Sequence, residues 1–273
     1  MDSEHTAREC RPWSNFDGLG HLYHFRPEYP PRVAKQLRSM LSSSVGGNII
    51  EVGAGTGLFT RSLAAVFGSS FRVLALEPND DMRRHAETST PGQMPITYAN
   101  GVAESLPAED ASVQLIAAAS AIHRFDRPLF FQEVRRVLQK NGVLALIQYQ
   151  PYDRGSSFAD RFLSIIERAL PSYDRHRSSK PEGGYFEFDI LADLQAEGAL
   201  EDVRRDTFLF SEIIDWERFK NQALSFTTIQ KAIGNKGKKA ILSELSELFD
   251  RSQSAEKCVD MPFEVEVITA RRV

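Results

Sequence analysis

Apolar and polar positions change rhythm along the chain, and the rhythm divides it near residue 150. Before that point, short apolar runs alternate with segments of helical periodicity. The runs "NIIEV" (48–52), "FRVLALE" (71–77), "PITYA" (95–99), "VQLIAAA" (113–119) and "GVLALIQY" (142–149) have the length and near-continuous apolar character of strands buried on both faces. Between them, 58–67, 79–88 and 126–139 set apolar residues three and four apart, which predicts helices with one buried face. Alternation at this spacing predicts right-handed crossovers and a parallel sheet with helices on both faces, an α/β architecture.

Beyond Pro151 the texture is helical. Helices are expected within 156–170, over 189–198, over 214–232 and over 238–249, with a charged, turn-rich connector at 172–184 and a strand within 201–215. The closing "MPFEVEVITARRV" alternates apolar and polar residues, as an edge or near-edge antiparallel strand does. At the other end, residues 1–15 are polar. Pro27, Pro30 and Pro31 exclude a continuous helix before residue 31, and the segment ahead of it concentrates Tyr23, His24, Phe25, Arg26 and Tyr29. An arm of this composition suits folding over a pocket or plugging the edge of the core.

The stretch "IIEVGAGTGLFT" (49–60) carries the chemistry. It passes from a buried strand into a helix through Gly53, Gly55 and Gly57. Glycines permit a sharp turn and a close ligand approach, and the helix start that follows offers unpaired N–H groups. Glu51 is an acid in an apolar strand, a costly position unless it meets an amine or N–H donors. Glu77 ends the next strand, where a carboxylate can take both hydroxyls of a ribose. No lysine closes the turn, so it is not a triphosphate loop. The third glycine comes one residue early for the dinucleotide pattern. The turn therefore predicts a ribosylated cofactor without a pyrophosphate, S-adenosyl-L-methionine.

Composition narrows the partners. With 33 Lys and Arg against 37 Asp and Glu, the net charge of −4 gives no electrostatic case for nucleic acid. Cys10 and Cys258 lie far apart and the six histidines form no helical pair, so no metal is expected. Acidic Asp2 and Glu4 argue against a signal peptide, and no stretch has the length of a membrane span. The expectation is a cytoplasmic monomer or weak homodimer acting on a small molecule.

Further candidates sit at strand ends. Ala103 and Glu104 in "GVAESLP" could border an adenine. His123 in "ASAIHRFD" follows strand four, where it could deprotonate an acceptor or support the site from behind. Asp126 suits the N-cap of the next helix. Arg124 could meet an acceptor's negative charge or face water.

These motifs together resemble the class I S-adenosylmethionine-dependent methyltransferases, and within them the small-molecule branch that contains trans-aconitate methyltransferase and related fungal and bacterial natural-product enzymes. The resemblance runs from about residue 20 to the end and is strongest at "YHFRPEYP", "EVGAGTG", "GVAESLP", "AAASAIHRFD" and "FEVEVITARR". It implies a Rossmann-like seven-stranded, mostly parallel sheet with an antiparallel last strand, plus a helical cap. It implies an arm at 1–30, a cofactor-binding core at 31–150, an acceptor-binding cap at 151–250 interleaved with a core strand near 203–210, and the last strand in 251–273. Tyr23, Arg26, Glu51, Gly53, Ala54, Gly55, Glu77, Pro78, Ala103, Glu104 and Ala119 are the implied cofactor contacts, with Asn79 beside the adenine as the alternative to Pro78. His123, Tyr29 and Arg26 are the implied catalytic group, with Ser120 near the methyl. Relatives have Trp where this chain has Arg124, which puts the acceptor pocket in question, and Asp where it has Gln114. The implied reaction is methyl transfer to a thiol, carboxylate or hydroxyl in natural-product tailoring or detoxification. A cyclisation or rearrangement without net transfer, or a non-catalytic cofactor-binding protein, would use the same motifs.

Overall fold

The structure, a computed structural model, describes residues 18–41, 45–173, 175 and 189–273. The polar segment 1–15 and most of the connector at 172–184 lie outside the described residues.

Five parallel strands build the first half: β1 (Gly47–Val52), β2 (Phe71–Leu76), β3 (Ile96–Ala99), β4 (Val113–Ala119) and β5 (Leu138–Pro151). Ahead of them stand α1 (Gly20–Tyr23) and α2 (Pro31–Met40); between them run α3 (Leu58–Phe67), α4 (Asp80–Ser89) and α5 (Arg127–Val137). Local chemistry sets these limits. Pro31 occupies the first turn of α2, Asn79 caps α4 by accepting from the Met82 N–H, and Asp126 caps α5 by accepting from the Leu129 N–H. Strand β5 begins four residues before its predicted start, because Leu138 still pairs with Val113 across an irregularity in the register.

The second half contains α6 (Ser157–Ala169), α7 (Ile190–Ala196), β6 (Leu200–Asp215), α8 (Trp216–Ser225), α9 (Thr227–Lys236), α10 (Lys238–Ser252) and β7 (Cys258–Arg272). One expectation needs correction. The single helix predicted over 214–232 is two, α8 and α9, because Phe226 takes an extended backbone (φ −76°, ψ 127°) between them. No Gly or Pro marks the break. The Phe226 side chain is buried against the helical cluster, and that tertiary contact outweighs the local periodicity.

The sheet order is β3-β2-β1-β4-β5-β7-β6. β7 lies antiparallel between β5 and β6, so the last strand is the reversed one and sits next to the edge. The expected Rossmann-like sheet with helices on both faces is the observed fold. Three apolar clusters hold it. One joins α5 and α7 to one sheet face, one joins α2 and α3 to the other, and a third packs α6, α8, α9 and α10 against Val259, Met261 and Phe263 of β7. No helix among the described residues is long and apolar enough to cross a membrane.

Candidate active site

Parallel strands all deliver their C-terminal ends to one side, and the site is built there. The turn after β1 puts Gly53, Gly55 and Gly57 at φ of 71°, 57° and 77°. Their reasons differ. A Cβ on Gly53 would come within 2.6 Å of the Ala121 side chain, and one on Gly57 within 2.3 Å of the Tyr98 hydroxyl. A Cβ on Gly55 would meet nothing within 4 Å; it would stand in open space. Gly57 then starts α3 with no side chain capping the helix, which leaves its first N–H groups for a ligand.

Two carboxylates flank the turn. Glu77 accepts from the Gly55 N–H at 2.8 Å and from the Asn79 N–H at 2.9 Å, one bond to each oxygen. These bonds pull its pKa down, but burial pushes harder and the net direction is up. Glu51 is 1% exposed, and among the described residues its Oε2 has no hydrogen-bond partner. Burial raises its pKa from 4.5 to about 8. A buried carboxyl oxygen left unpaired costs free energy until a donor arrives.

Opposite the turn, Tyr29 is buried between Phe59 and Tyr149, with ring centroids 5.0 and 5.2 Å away, and its hydroxyl shares a hydrogen bond of 3.0 Å with Ser120 Oγ. Burial raises the Tyr29 pKa well above 10. The phenol therefore stays protonated and orients Ser120, rather than acting as a base. Ser120 holds φ at 52°, a left-handed conformation uncommon outside glycine that turns the chain off the end of β4. His123 follows in a 3₁₀ turn (Ile122–Arg124). Burial, then the charges of Arg124 and Arg26, lower its pKa from 6.5 to about 4. It is a neutral imidazole at physiological pH.

Arg26 ties the arm to the helical layer. Its guanidinium donates to the Ser225 carbonyl at 2.8 Å and stacks on the rings of Phe226 (4.3 Å) and Tyr23 (4.7 Å). The break between α8 and α9 is what presents that carbonyl and that ring. The arm is anchored at its other end by the Gly18 and Gly20 N–H groups donating to Asp81.

One cavity of about 990 Å³ joins these groups. Tyr23, Arg26, Tyr29, Glu51, Gly53, Ala54, Gly55, Glu77, Pro78, Ala103, Glu104, Ala119 and His123, the residues singled out from sequence, all line it. Asn79 does not; it is 2% exposed and occupied in capping α4, so of the pair proposed for the adenine only Pro78 borders the cavity. Glu104 has a second duty, accepting from the Asp126 N–H at 2.8 Å. Gln114 lies at the far end of β4, where it accepts from the Asn48 N–H, a packing role. Sequence reasoning missed the other half of the lining: Phe162, Leu163 and Ile166 of α6, Phe226, and Gln148, Gln150, Glu264 and Glu266 on β5 and β7. Polar residues at 148 and 150 in an otherwise buried strand were a usable signal. The apolar residues of α6 gave none, since core-facing and ligand-facing positions read alike.

Comparison with known proteins agrees with the fold. Residues 50–146 match the family model described as a methyltransferase domain. A putative type II methyltransferase from Anaeromyxobacter dehalogenans superposes with a TM-score of 0.67 at 21% identity, covering 90% of this chain and 97% of that one. This is the class I methyltransferase fold. Among curated relatives, an uncharacterized methyltransferase of Schizosaccharomyces pombe is 27% identical over 193 residues, 69% of this chain and 74% of its own length. A putative methyltransferase of Dictyostelium discoideum is 32% identical over 136 residues, and the match spans 49% of each chain.

The methyltransferase fold implies S-adenosylmethionine, and the cavity wall fits that molecule. The unpaired Glu51 Oε2 suits its ammonium, the Glu77 carboxylate retains lone pairs for two hydroxyls, and the space beside Gly55 admits a ligand against bare backbone.

Proposed function

We propose that the protein transfers the methyl group of S-adenosylmethionine to a thiol, carboxylate or hydroxyl of a small molecule. The observation that carries the donor is the buried, unpartnered oxygen of Glu51 facing the same cavity as the Glu77 carboxylate. In this reading Glu51 holds the ammonium, Glu77 the ribose hydroxyls, and Pro78, Ala103 and Glu104 border the adenine.

The bound cofactor supplies a methyl group already activated on a sulfonium, so the chain's own work is alignment, exclusion of water and handling of one proton. Tyr29 fixes Ser120, and with it the turn that leads to His123. His123, neutral under ordinary conditions, can accept the proton that an acidic acceptor loses. A base this weak matches a thiol or carboxylic acid better than an aliphatic alcohol. Arg26 and Arg124 place positive charge beside His123, which favours an acceptor atom that becomes anionic.

Calorimetric titration with S-adenosylhomocysteine tests the donor, with Gly55→Val as control. Saturable binding that the variant loses supports the reading. Equal affinity in both proteins would place the cofactor elsewhere.

A further inference from the structure

The end of the cavity away from the glycine turn is a different environment. Its floor is the C-terminal part of β5 and the facing part of β7, where Gln148 pairs with Glu266 and Gln150 with Glu264. Side chains alternate across a strand, and Phe263 and Val265 are fully buried on one face. Gln148, Gln150, Glu264 and Glu266 therefore share the other face, and all four line the cavity.

The two glutamates are not equivalent. Glu266 is ion-paired with Arg205 and accepts from Gln148 Nε2 at 3.1 Å. Glu264 has Leu209 as its neighbour on β6. Among the described residues no ion pair or side-chain hydrogen bond reaches its carboxylate. Arg175 lines the same end but is already held by Glu167 at 2.7 Å, Asp160 at 2.5 Å and Asp153 at 3.4 Å. Among the described residues, three carboxylates around one guanidinium leave this end with surplus negative charge. The nearby cations Arg154 and Lys231 stand on the exposed rim. Phe162, Leu163, Ile166 and Leu170 give the same cavity an apolar side, and Leu163 also borders a small pocket together with Glu264.

We propose that the acceptor is an amphipathic small molecule carrying a protonated amine, which Glu264 receives while the apolar body lies along α6. This rests on the methyltransferase reading of the cofactor end. The amine is the anchoring group, and the methyl-accepting atom lies toward His123, where Arg26 and Arg124 supply the opposite charge. The site then selects a molecule polarised end to end. A half-buried carboxylate without a countercharge attracts an ammonium and repels a carboxylate, so its first effect is on selectivity.

Three phenols that differ only in the tail test this: tyramine, 4-ethylphenol and 3-(4-hydroxyphenyl)propionate. Their affinities are measured by calorimetry on the S-adenosylhomocysteine complex at low salt. Tyramine should bind roughly tenfold more tightly than 4-ethylphenol, and the acid most weakly. Glu264→Gln should erase the order while leaving S-adenosylhomocysteine affinity and melting temperature unchanged; Glu264→Asp should keep the order in weaker form. The inference is overturned if tyramine fails to bind, if the acid binds as well as tyramine, or if Glu264→Gln retains the preference. Failure to bind S-adenosylhomocysteine at the outset would instead overturn the donor reading, and this inference with it.

Discussion

Glu51 and His123 show how burial, as the largest of several influences, prepares a residue. The carboxyl is pushed up to about 8 and the imidazole down to about 4, each toward its neutral form. The stability consequences run in opposite directions. Glu51, raised from 4.5, contributes stability that is complete below pH 4.5 and is lost as pH rises through 8. His123, lowered from 6.5, contributes stability that is present above pH 6.5 and lost as pH falls toward 4. An ammonium beside Glu51 would favour its ionised form, so cofactor binding near pH 7 should release a proton. Titrations in buffers of different ionisation enthalpy measure that number, and Glu51→Gln should bring it close to zero. For His123, replacement by Ala should slow transfer to a hydroxyl by about 10²-fold or more while sparing a preformed thiolate. With cofactor saturating throughout, the wild-type rate should stay flat from pH 8 down to about 5. An inflection near 6.5 would show that the imidazole is not held neutral as described.

At the scale of elements, the sequence carried most of the first half. Strand–helix alternation located β1 to β4 and α3 to α5 within a residue or two, because buried parallel strands and amphipathic helices have periods that do not depend on what they touch. The glycine-turn side of the cavity was legible for a related reason, since Gly55, Glu51 and Glu77 break local rules: a bare backbone and two acids in apolar surroundings. The side lined by α6 and Phe226 broke none. Phe226 ends α8 through packing, and residues such as Phe162 look like core in any window of the sequence. That break has a testable role. Replacing Phe226 with Ala removes one face of the Arg26 stack, worth roughly 0.5–2 kcal/mol for a cation over a ring. The expected result is faster hydrogen exchange in residues 18–30 and a raised KM for the acceptor, with cofactor affinity changed less. Unaltered exchange in the arm would mean that the Ser225 carbonyl suffices to hold it.

The whole molecule is joined by a line of rings. Tyr29 meets Tyr149, Tyr149 meets Phe210 and Phe263, and these two stack at 5.4 Å, connecting the cluster under α3 to the cluster under α6 and α8. Phe263 is fully buried at that junction. Truncating it to Ala should cost about 3–5 kcal/mol. If the two halves are one cooperative unit, the melt should shift as a single transition; two transitions would show the helical layer unfolding by itself.

The position of β7 has a consequence for how the protein is made. β5 and β6 are neighbours only through a strand that leaves the ribosome after both. Until residues 258–272 emerge, the nascent sheet ends at β5, and β6 has no strand to pair with. Closure of the sheet, and with it the floor that carries Glu264, is therefore a late event, paced by synthesis rather than by local folding. Ribosome-bound chains halted before residue 258 should be cut readily by protease within 200–215, and chains extended past 273 by a linker should be protected there.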